Sequence, residues 1–86
     1  MSNDAKSPIL RYTTIWCPDC TRAKSFLDSK GIAYTEIDIE QDAEAATLVI
    51  EKNEGRRRVP TLLINGEYHG DPGVAKIAEL VGVPLW

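Results

Sequence analysis

Residues 9–20 of the chain read ILRYTTIWCPDC, and this stretch decides the fold. Its first part, residues 9–16, is rich in β-branched and aromatic residues and predicts a strand. Pro18 stands where proline fits best, at the first position of a helix. Asp19 in the first turn suits the positive end of the helix dipole. A strand therefore leads directly into a helix, with Cys17 at the junction.

A strand and a second helix are predicted after this first helix. Apolar residues at helical spacing form a stripe on the first helix, which Gly31 ends, and the stripe consists of Cys20, Ala23, Phe26 and Leu27. Residues 33–39 alternate in polarity and predict a second strand. Asp42 is a suitable cap for a second helix that ends at Gly55. The first half is thus a βαβ unit, whose strands should be parallel.

The second half of the chain predicts a hairpin followed by a helix. Residues 59–64 form a third strand, and Asn65-Gly66 is the strongest short-range signal for a hairpin to a fourth strand over residues 67–69. His69, at the end of that strand, is interpreted as a surface residue. Asp71-Pro72 repeats the cap-then-proline pattern and should open a third helix that stops at Gly82. The predicted order is therefore β-α-β-α-β-β-α, an α/β fold.

The length and net charge of the chain argue against several classes of function. The 86 residues make one domain over residues 9–86, preceded by a polar lead over residues 1–8 that we expect to be disordered. A net charge of −3 argues against a general nucleic-acid binder. The N-terminus does not have the pattern of a secretory signal, and no apolar run approaches the roughly 20 residues that span a bilayer. We therefore expect a cytoplasmic protein that does not bind membranes.

The two cysteines, Cys17 and Cys20, are better explained by chemistry than by structural support. A disulfide across so short a loop would add little stability. A structural zinc site needs four ligands, and this chain offers two cysteines and one histidine, so we expect no metal site within one chain. A Cys-x-x-Cys beside a βαβ pattern is typical of a thioredoxin-like redox motif. An inert pair and a metal site shared by two chains are the alternatives.

The position of each cysteine predicts its role. A thiolate is the form that attacks a disulfide, and a helix N-terminus favours it. Cys17 occupies the capping position, where the free N–H of Cys20 can reach its sulfur. Cys20 begins the apolar stripe and should be more buried, with a higher pKa. Cys17 is therefore the predicted nucleophile and Cys20 the resolving thiol, while the charge of Asp19 should partly offset the helix effect.

Four segments of the chain resemble the glutaredoxin family over about residues 9–82. They are residues 13–20, residues 34–39, Val59-Pro60-Thr61 and Asn65-Gly66. The resemblance is closest to the mycoredoxin-like branch of dithiol glutaredoxins, because of Thr13-Thr14 before Trp16-Cys17, the arginines before Val59, and Asp71-Pro72.

The resemblance implies a thioredoxin fold with a four-stranded mixed sheet in the order 2-1-3-4. It also implies a cis Pro60, whereas spacing alone would make Pro60 an ordinary strand-start proline, because only about 5% of such bonds are cis. Arg56-Arg57-Arg58 is by default a solvated loop, with binding of a substrate carboxylate or phosphate as the alternative. Trp16 is interpreted as an exposed apolar contact at the rim of the site. The expected substrate-binding residues are Trp16, Pro18, Arg58, Val59, Pro60, Gly70 and Asp71.

The resemblance further implies a reductase of mixed disulfides between proteins and a low-molecular-weight thiol. No tightly bound cofactor is expected, and the thiol is the cosubstrate. Mycothiol is favoured over glutathione, because Thr13 and Thr14 stand where many glutathione-using members carry a lysine. Oxidised or S-thiolated proteins are the expected partners of a monomer.

Two alternatives stay open at this stage. The first is a protein-disulfide reductase recharged by thioredoxin reductase, like the branch that feeds electrons to ribonucleotide reductase. The second is an iron–sulfur carrier, in which Cys17 from two chains would hold a cluster. Pro18 stiffens the turn beside Cys17 and disfavours the second alternative.

Overall fold

The computed structural model describes residues 9–85. The expected disordered lead, residues 1–8, lies outside the described residues and stays a prediction. The elements are β1 (Leu10–Thr13), α1 (Pro18–Ser29), β2 (Thr35–Asp38), α2 (Ala43–Lys52), β3 (Thr61–Ile64), β4 (Glu67–Gly70) and α3 (Val74–Val81). Between residues 9 and 85, no helix is both long enough and apolar enough to cross a membrane.

The four strands form one mixed sheet in the order β2-β1-β3-β4. β1 is parallel to β2 and antiparallel to β3, and β3 and β4 form an antiparallel hairpin. This confirms the order implied by the resemblance. Because β1 has a neighbour on each side and helices over both faces, Arg11, Tyr12 and Thr13 are buried and Leu10 is half-buried.

Helices cover both faces of the sheet. α1 and α3 pack on one face through Ala23, Phe26, Leu27, Leu62, Ile64, Ile77 and Ala78. α2 packs on the other face through Tyr12, Ile39, Ala45 and Val49. Successive strand side chains point to opposite faces, so Leu62 and Ile64 of β3 both reach the α1–α3 face. The apolar stripe predicted for α1 is buried throughout, as expected.

Two of the predicted turn and cap signals are confirmed in detail. The side chain of Asp42 accepts a hydrogen bond from the Ala45 N–H at 3.1 Å and caps α2. Asn65 and Gly66 both have positive φ, 54° and 82°, which is the combination that a tight hairpin turn needs. The Asp42 cap specifies the start of α2, and the Asn65-Gly66 turn holds β3 and β4 in register.

The strand over residues 9–16 is shorter than predicted. β1 ends at Thr13, opposite Asp38, because its parallel partner β2 also ends there. Ile15 and Trp16 then lie in the exposed loop that leads to Cys17. These β-branched and aromatic residues therefore belong to a surface loop and not to a strand.

Two predictions in the second half of the chain are wrong. Asp71 does not cap α3: it has a φ of 50° and its N–H donates to the Pro60 carbonyl at 2.7 Å, which ties it to the start of β3. The cap is Gly73, without a side-chain hydrogen bond, and α3 begins at Val74. His69 is not a surface residue, because β4 places it beside Leu62, half-buried and with its Nε2 atom enclosed.

Candidate active site

Cys17 lies at the N-terminus of α1, and its sulfur caps the helix. Its backbone is extended, with φ −94° and ψ 116°, and the helix begins at Pro18. The Cys17 Sγ atom accepts a hydrogen bond from the Cys20 N–H at 3.1 Å. The predicted capping geometry is confirmed. It places Cys17 Sγ at the positive end of α1, where negative charge on a sulfur is favoured.

The Val59–Pro60 segment faces the Cys17 thiol. The Cys17 Sγ atom lies 3.7 Å from the Val59 carbonyl oxygen, to which the thiol donates. The Val59–Pro60 peptide bond is cis, as the resemblance implies. Both cysteines are free thiols in the structure. A backbone carbonyl thus lies directly across the groove from the predicted nucleophile.

Asn53 anchors the segment before Pro60, and sequence analysis missed it. The Asn53 Nδ2 group donates to the Val49 carbonyl at 2.6 Å and to the Thr61 hydroxyl at 3.1 Å. The Thr61 hydroxyl in turn donates to the Arg58 carbonyl at 2.7 Å. The end of α2 is therefore tied to the backbone on both sides of Val59-Pro60. No local pattern reports such a link, because its partners are brought together only by the fold.

Cys20 lies behind Cys17 and is shielded from solvent. Its side chain is 2% exposed, against 6% for Cys17, so the predicted difference in burial has the right sign but is small. The loop that carries Val59 covers Cys17 more than the sequence suggested. Burial, followed by the hydrogen bond with Cys17, raises the pKa of the Cys20 thiol to about 11. Cys20 must therefore lose its proton before it can act as a nucleophile near neutral pH.

A cleft opens between the start of α1 and the start of α3. It has a volume of about 260 Å³ and is lined by Asp19, Arg22, Ala23, Asp71, Pro72, Gly73 and Val74. Burial, and then the charge of Asp19 and a hydrogen bond with it, raise the pKa of the Asp71 carboxyl, which Arg58 and Arg22 partly counteract. Arg22 is itself paired with Asp19 at 2.6 Å. The cleft therefore presents two carboxylates and an arginine whose charge is already balanced.

The raised pKa of Asp71 predicts a small stability gain on neutralisation. The fold favours the protonated carboxyl, so the contribution of Asp71 to stability is fully present below the ordinary pKa and is lost as pH rises through the raised pKa. Asp71→Asn should be more stable than wild type near neutral pH, by less than about 0.5 kcal/mol because the group is exposed. Urea unfolding of both proteins at neutral and acid pH measures this difference. It should vanish in acid, and a difference of opposite sign at neutral pH would contradict the assignment.

Three further residues expected to bind substrate, Trp16, Pro18 and Arg58, are exposed around the two cysteines. Trp16 is 64% exposed, as expected for a rim residue. Its Nε1 group donates to the Glu40 carboxylate at 3.2 Å, and Glu40 also lies 3.8 Å from Arg57. The structure thus places Trp16 on the β2–α2 side of Cys17, away from the cleft at Asp71. Pro18 is exposed at the first position of α1, and Arg58 is exposed beside Gly70.

Arg11 is a buried charged residue that sequence analysis overlooked. It lies in the central strand β1 and is 2% exposed. One of its terminal nitrogens, Nη1, donates to the Thr13 hydroxyl and to the Cys20 carbonyl, each at 3.1 Å. The other, Nη2, pairs with Glu36 of β2 at 2.6 Å. An arginine inside an otherwise apolar strand was the signal available in the sequence.

No metal centre is formed within the described part of the chain. Over residues 9–85, no group of three or more histidine, cysteine or acidic side chains is arranged to bind a metal ion.

Comparison with known proteins identifies relatives of this chain. The family model for glutaredoxin matches residues 9–69 of this chain. A Mycobacterium tuberculosis protein named as a glutaredoxin is 49% identical over 76 residues, covering 83% of this chain and 90% of its own. Glutaredoxin 3 of Escherichia coli is 39% identical over 59 residues, covering 69% of this chain and 70% of its own.

Solved structures show the same architecture. A thioredoxin-like protein superposes with a TM-score of 0.81 at 28% identity, covering 91% of this chain and 99% of its own. A buckwheat glutaredoxin in complex with glutathione superposes with a TM-score of 0.68 at 26% identity, covering 87% of this chain and 74% of its own. The thioredoxin fold is thus shared with proteins of both descriptions.

Proposed function

The chain belongs to the glutaredoxin family of thiol oxidoreductases, and on this basis we propose that it reduces mixed disulfides through Cys17 and Cys20. The observation that carries the proposal is the 3.1 Å hydrogen bond from the Cys20 N–H to the Cys17 sulfur at the start of α1. This bond holds the Cys17 sulfur at the N-terminus of α1, the usual position of an attacking cysteine. The Val59 carbonyl across the groove is then available to hold a substrate backbone.

The reaction follows from this geometry in two exchanges. The Cys17 thiolate attacks the sulfur of the low-molecular-weight thiol in a protein mixed disulfide, and the protein leaves as a thiolate that takes up a proton. Cys17 is then bonded to the small thiol. Either a second molecule of that thiol or Cys20 attacks the Cys17 sulfur and releases the bound thiol. In the second case the Cys17–Cys20 disulfide forms, and two electrons have passed to the substrate.

The charges of the cleft favour a sugar thiol such as mycothiol over glutathione. Glutathione brings two carboxylates and one ammonium, and a carboxylate near the start of α3 would meet Asp19 and Asp71. Of the two arginines near this carboxylate, Arg22 pairs with Asp19 and Arg58 offsets the charge of Asp71, so the cleft has no surplus positive charge to bind a further carboxylate. A sugar thiol offers hydroxyl groups, which can donate to both carboxylates without a charge penalty. The relative crystallised with glutathione makes that thiol the competing candidate.

The decisive experiment compares one peptide that carries either a mycothiol or a glutathione mixed disulfide. Each is turned over with its own thiol and reductase, and kcat/KM is measured. We expect a preference for mycothiol of at least about tenfold, which corresponds to one unfavourable charge contact of about 1.4 kcal/mol. Equal rates, or a preference for glutathione, would overturn the assignment of the thiol while leaving the reductase chemistry intact.

The pairing of Asp19 with Arg22 supplies a specific test of this preference. Asp19→Asn frees Arg22 for a carboxylate, so turnover of the glutathione peptide should rise several-fold while turnover of the mycothiol peptide changes little. Asp28→Asn, at the far end of α1, is the matched control and should change neither rate. If both variants behave alike, charge in the cleft does not select the thiol.

Cys20→Ser separates the two routes of release. Cys17 retains its cap in this variant, because the backbone N–H of residue 20 is unchanged. We expect reduction of the small-thiol mixed disulfide to continue within about tenfold of wild type. Reduction of a protein disulfide that needs both thiols should fall to the background. Complete loss of both activities would show that Cys20 is needed for the first exchange as well.

The same assays decide between the proposal and its alternatives. Reduction of the oxidised protein by thioredoxin reductase and NADPH, faster than by any small thiol, would favour the protein-disulfide reductase. A coloured product after anaerobic addition of iron and sulfide would favour the cluster carrier. We propose a monomer in the cytoplasm, where reduced thiols are maintained, with S-thiolated proteins as its partners.

A further inference from the structure

A polar cavity lies behind Cys20, on the opposite side from Cys17. It has a volume of about 220 Å³ and is lined by Arg11, Thr13, Thr14, Ile15, Cys20, Thr21, Lys24 and Glu36. We call it the rear cavity. Glu36 and Lys24 at its mouth are 43% and 50% exposed, so the cavity connects the buried Cys20 with solvent. Its lining is unusual for the interior of so small a domain, because most of the residues are polar.

Two buried polar atoms on the wall of the rear cavity have no partner among residues 9–85. They are Arg11 Nε and Thr14 Oγ1. Buried polar groups are almost always hydrogen-bonded, to protein or to ordered water. A cavity of this volume is large enough for several water molecules, each of which occupies about 30 Å³ in the liquid. The volume and the polar lining together indicate a hydrated cavity.

The Thr13 hydroxyl is oriented by its hydrogen bond with Arg11. The Thr13 oxygen accepts from Arg11 Nη1 at 3.1 Å, so its own hydrogen must point elsewhere. One acceptor is the Thr14 carbonyl at 3.1 Å. Cys20 lines the same cavity as Thr13, and Arg11 Nη1 joins the two residues by donating to the Thr13 hydroxyl and to the Cys20 carbonyl. Interactions with the Thr13 side chain and the Thr14 backbone act to lower the pKa of the Cys20 thiol. The hydroxyl can therefore turn toward the sulfur when the sulfur becomes negative.

We propose that the rear cavity is the path by which the proton of Cys20 leaves during resolution, with Arg11 as a positioning residue that holds the Thr13 hydroxyl for the resulting thiolate. This inference rests on the proposed function. Cys20–SH releases its proton through cavity water to solvent at the mouth of the rear cavity. The Cys20 thiolate attacks the Cys17 sulfur, the Cys17–Cys20 bond forms, and the bond to the small thiol breaks. The departing thiolate takes up a proton from solvent, so atoms and electrons balance.

The groups around Cys20 are consistent with this direction of proton release. Arg11 approaches from β1, Glu36 from β2, and Lys24 and Cys17 from α1 itself. α3 packs against the same helix with the apolar Ile77 and Ala78. On the front side, Cys17 is bonded to the substrate at this stage and has no free thiolate to accept a proton. The mouth of the rear cavity, where Glu36 pairs with Arg11 at 2.6 Å, is the side that opens to solvent.

The test measures the two exchanges separately in single turnovers. Acid-quenched samples analysed by mass spectrometry give the rate at which the Cys17 mixed disulfide forms and the rate at which it resolves. Thr13→Val removes the hydroxyl and keeps the shape, whereas Thr13→Ser keeps the hydroxyl. With Thr13→Val, resolution near neutral pH should slow about tenfold, the value of one hydrogen bond to a charged group, and its pH midpoint should rise by about one unit. Thr13→Ser should retain both values, and neither variant should change formation.

Arg11 and Glu36 are tested in the same assay. Arg11→Met should slow resolution as Thr13→Val does, and Arg11→Lys should recover part of the rate. Glu36→Gln should also slow resolution. Equal resolution in Thr13→Val and Thr13→Ser, or a parallel loss of formation and resolution in Thr13→Val, would overturn the proposal.

A second measurement decides the proposal even if the proposed function fails. If wild type forms no mixed disulfide on Cys17, the reductase assignment is wrong, but Cys20 can still be titrated in the Cys17→Ser background by thiolate absorbance. A higher pKa of Cys20 with Thr13→Val than with Thr13→Ser would support the role of the hydroxyl. Identical pKa values in the two variants would overturn it.

Discussion

Replacing Cys17 with serine is expected to lower the reduction of mixed disulfides on the order of 10⁴-fold or more, as the loss of a covalent nucleophile usually does. A hydroxyl cannot form the mixed disulfide through which both exchanges proceed. The fold should remain, because a serine oxygen is also a good acceptor for the Cys20 N–H at the start of α1. Turnover of the peptide mixed disulfide, at matched protein concentration, measures the loss.

Cys20→Ser is the matched control for this variant, since it makes the same replacement one helical turn away. Thermal unfolding should show that both variants are folded at the assay temperature. Activity of Cys17→Ser within about tenfold of wild type would contradict the mechanism. Loss of activity in a protein that is visibly unfolded would point to the cap and not to the chemistry.

Gly70→Ala is expected to produce the largest loss of stability among substitutions of one small residue near the site. A Cβ atom at residue 70 would lie 1.9 Å from the Asn53 Oδ1 atom and 3.1 Å from Arg58 Cδ. Asn53 cannot turn away freely, because its amide group donates to Val49 and Thr61. The clash should cost about 1–3 kcal/mol, the usual range for overpacking. Activity should fall as well, since the same hydrogen bonds hold the backbone around Val59.

Gly73→Ala is the matched control, because a Cβ atom at Gly73 meets nothing within 4 Å. Its free energy of unfolding should change by less than about 0.5 kcal/mol. Urea unfolding of the two variants gives both values. A loss as small for Gly70→Ala as for Gly73→Ala would mean that the Asn53 side chain moves without cost. Asn53→Ala in the Gly70→Ala background should then recover nothing.

The fold and the two cysteines could be predicted from the sequence because their signals are local. The strand, proline and apolar stripe of residues 9–27 specify where α1 begins and which side of it is buried. Asn65-Gly66 specifies the hairpin by its backbone preferences alone. Such signals act over a few residues, so a single sequence contains them in full.

The errors arose where distant segments decide a local structure. Asp71-Pro72 has the pattern of a helix start, but the Pro60 carbonyl holds the Asp71 N–H at 2.7 Å and delays α3. The pattern around His69 indicates a surface residue, because it does not show that Leu62 lies beside His69 across the hairpin. The partners that bury the Arg11 side chain, Thr13, Cys20 and Glu36, come together only in the folded chain. In each case the missing information was the identity of a contact partner that only the folded chain brings near.

The two contacts of the Cys17 sulfur differ greatly in their separation along the chain. Its hydrogen bond with the Cys20 N–H joins residues three positions apart, whereas its contact with the Val59 carbonyl spans 42 positions. The first can form as soon as one helical turn is present. The second requires the complete sheet, and long-range contacts of this kind are the late and costly ones in folding. A partly unfolded molecule would therefore keep a reactive thiol after it had lost the surface that chooses substrates, so chemical reactivity and selectivity depend differently on the integrity of the fold.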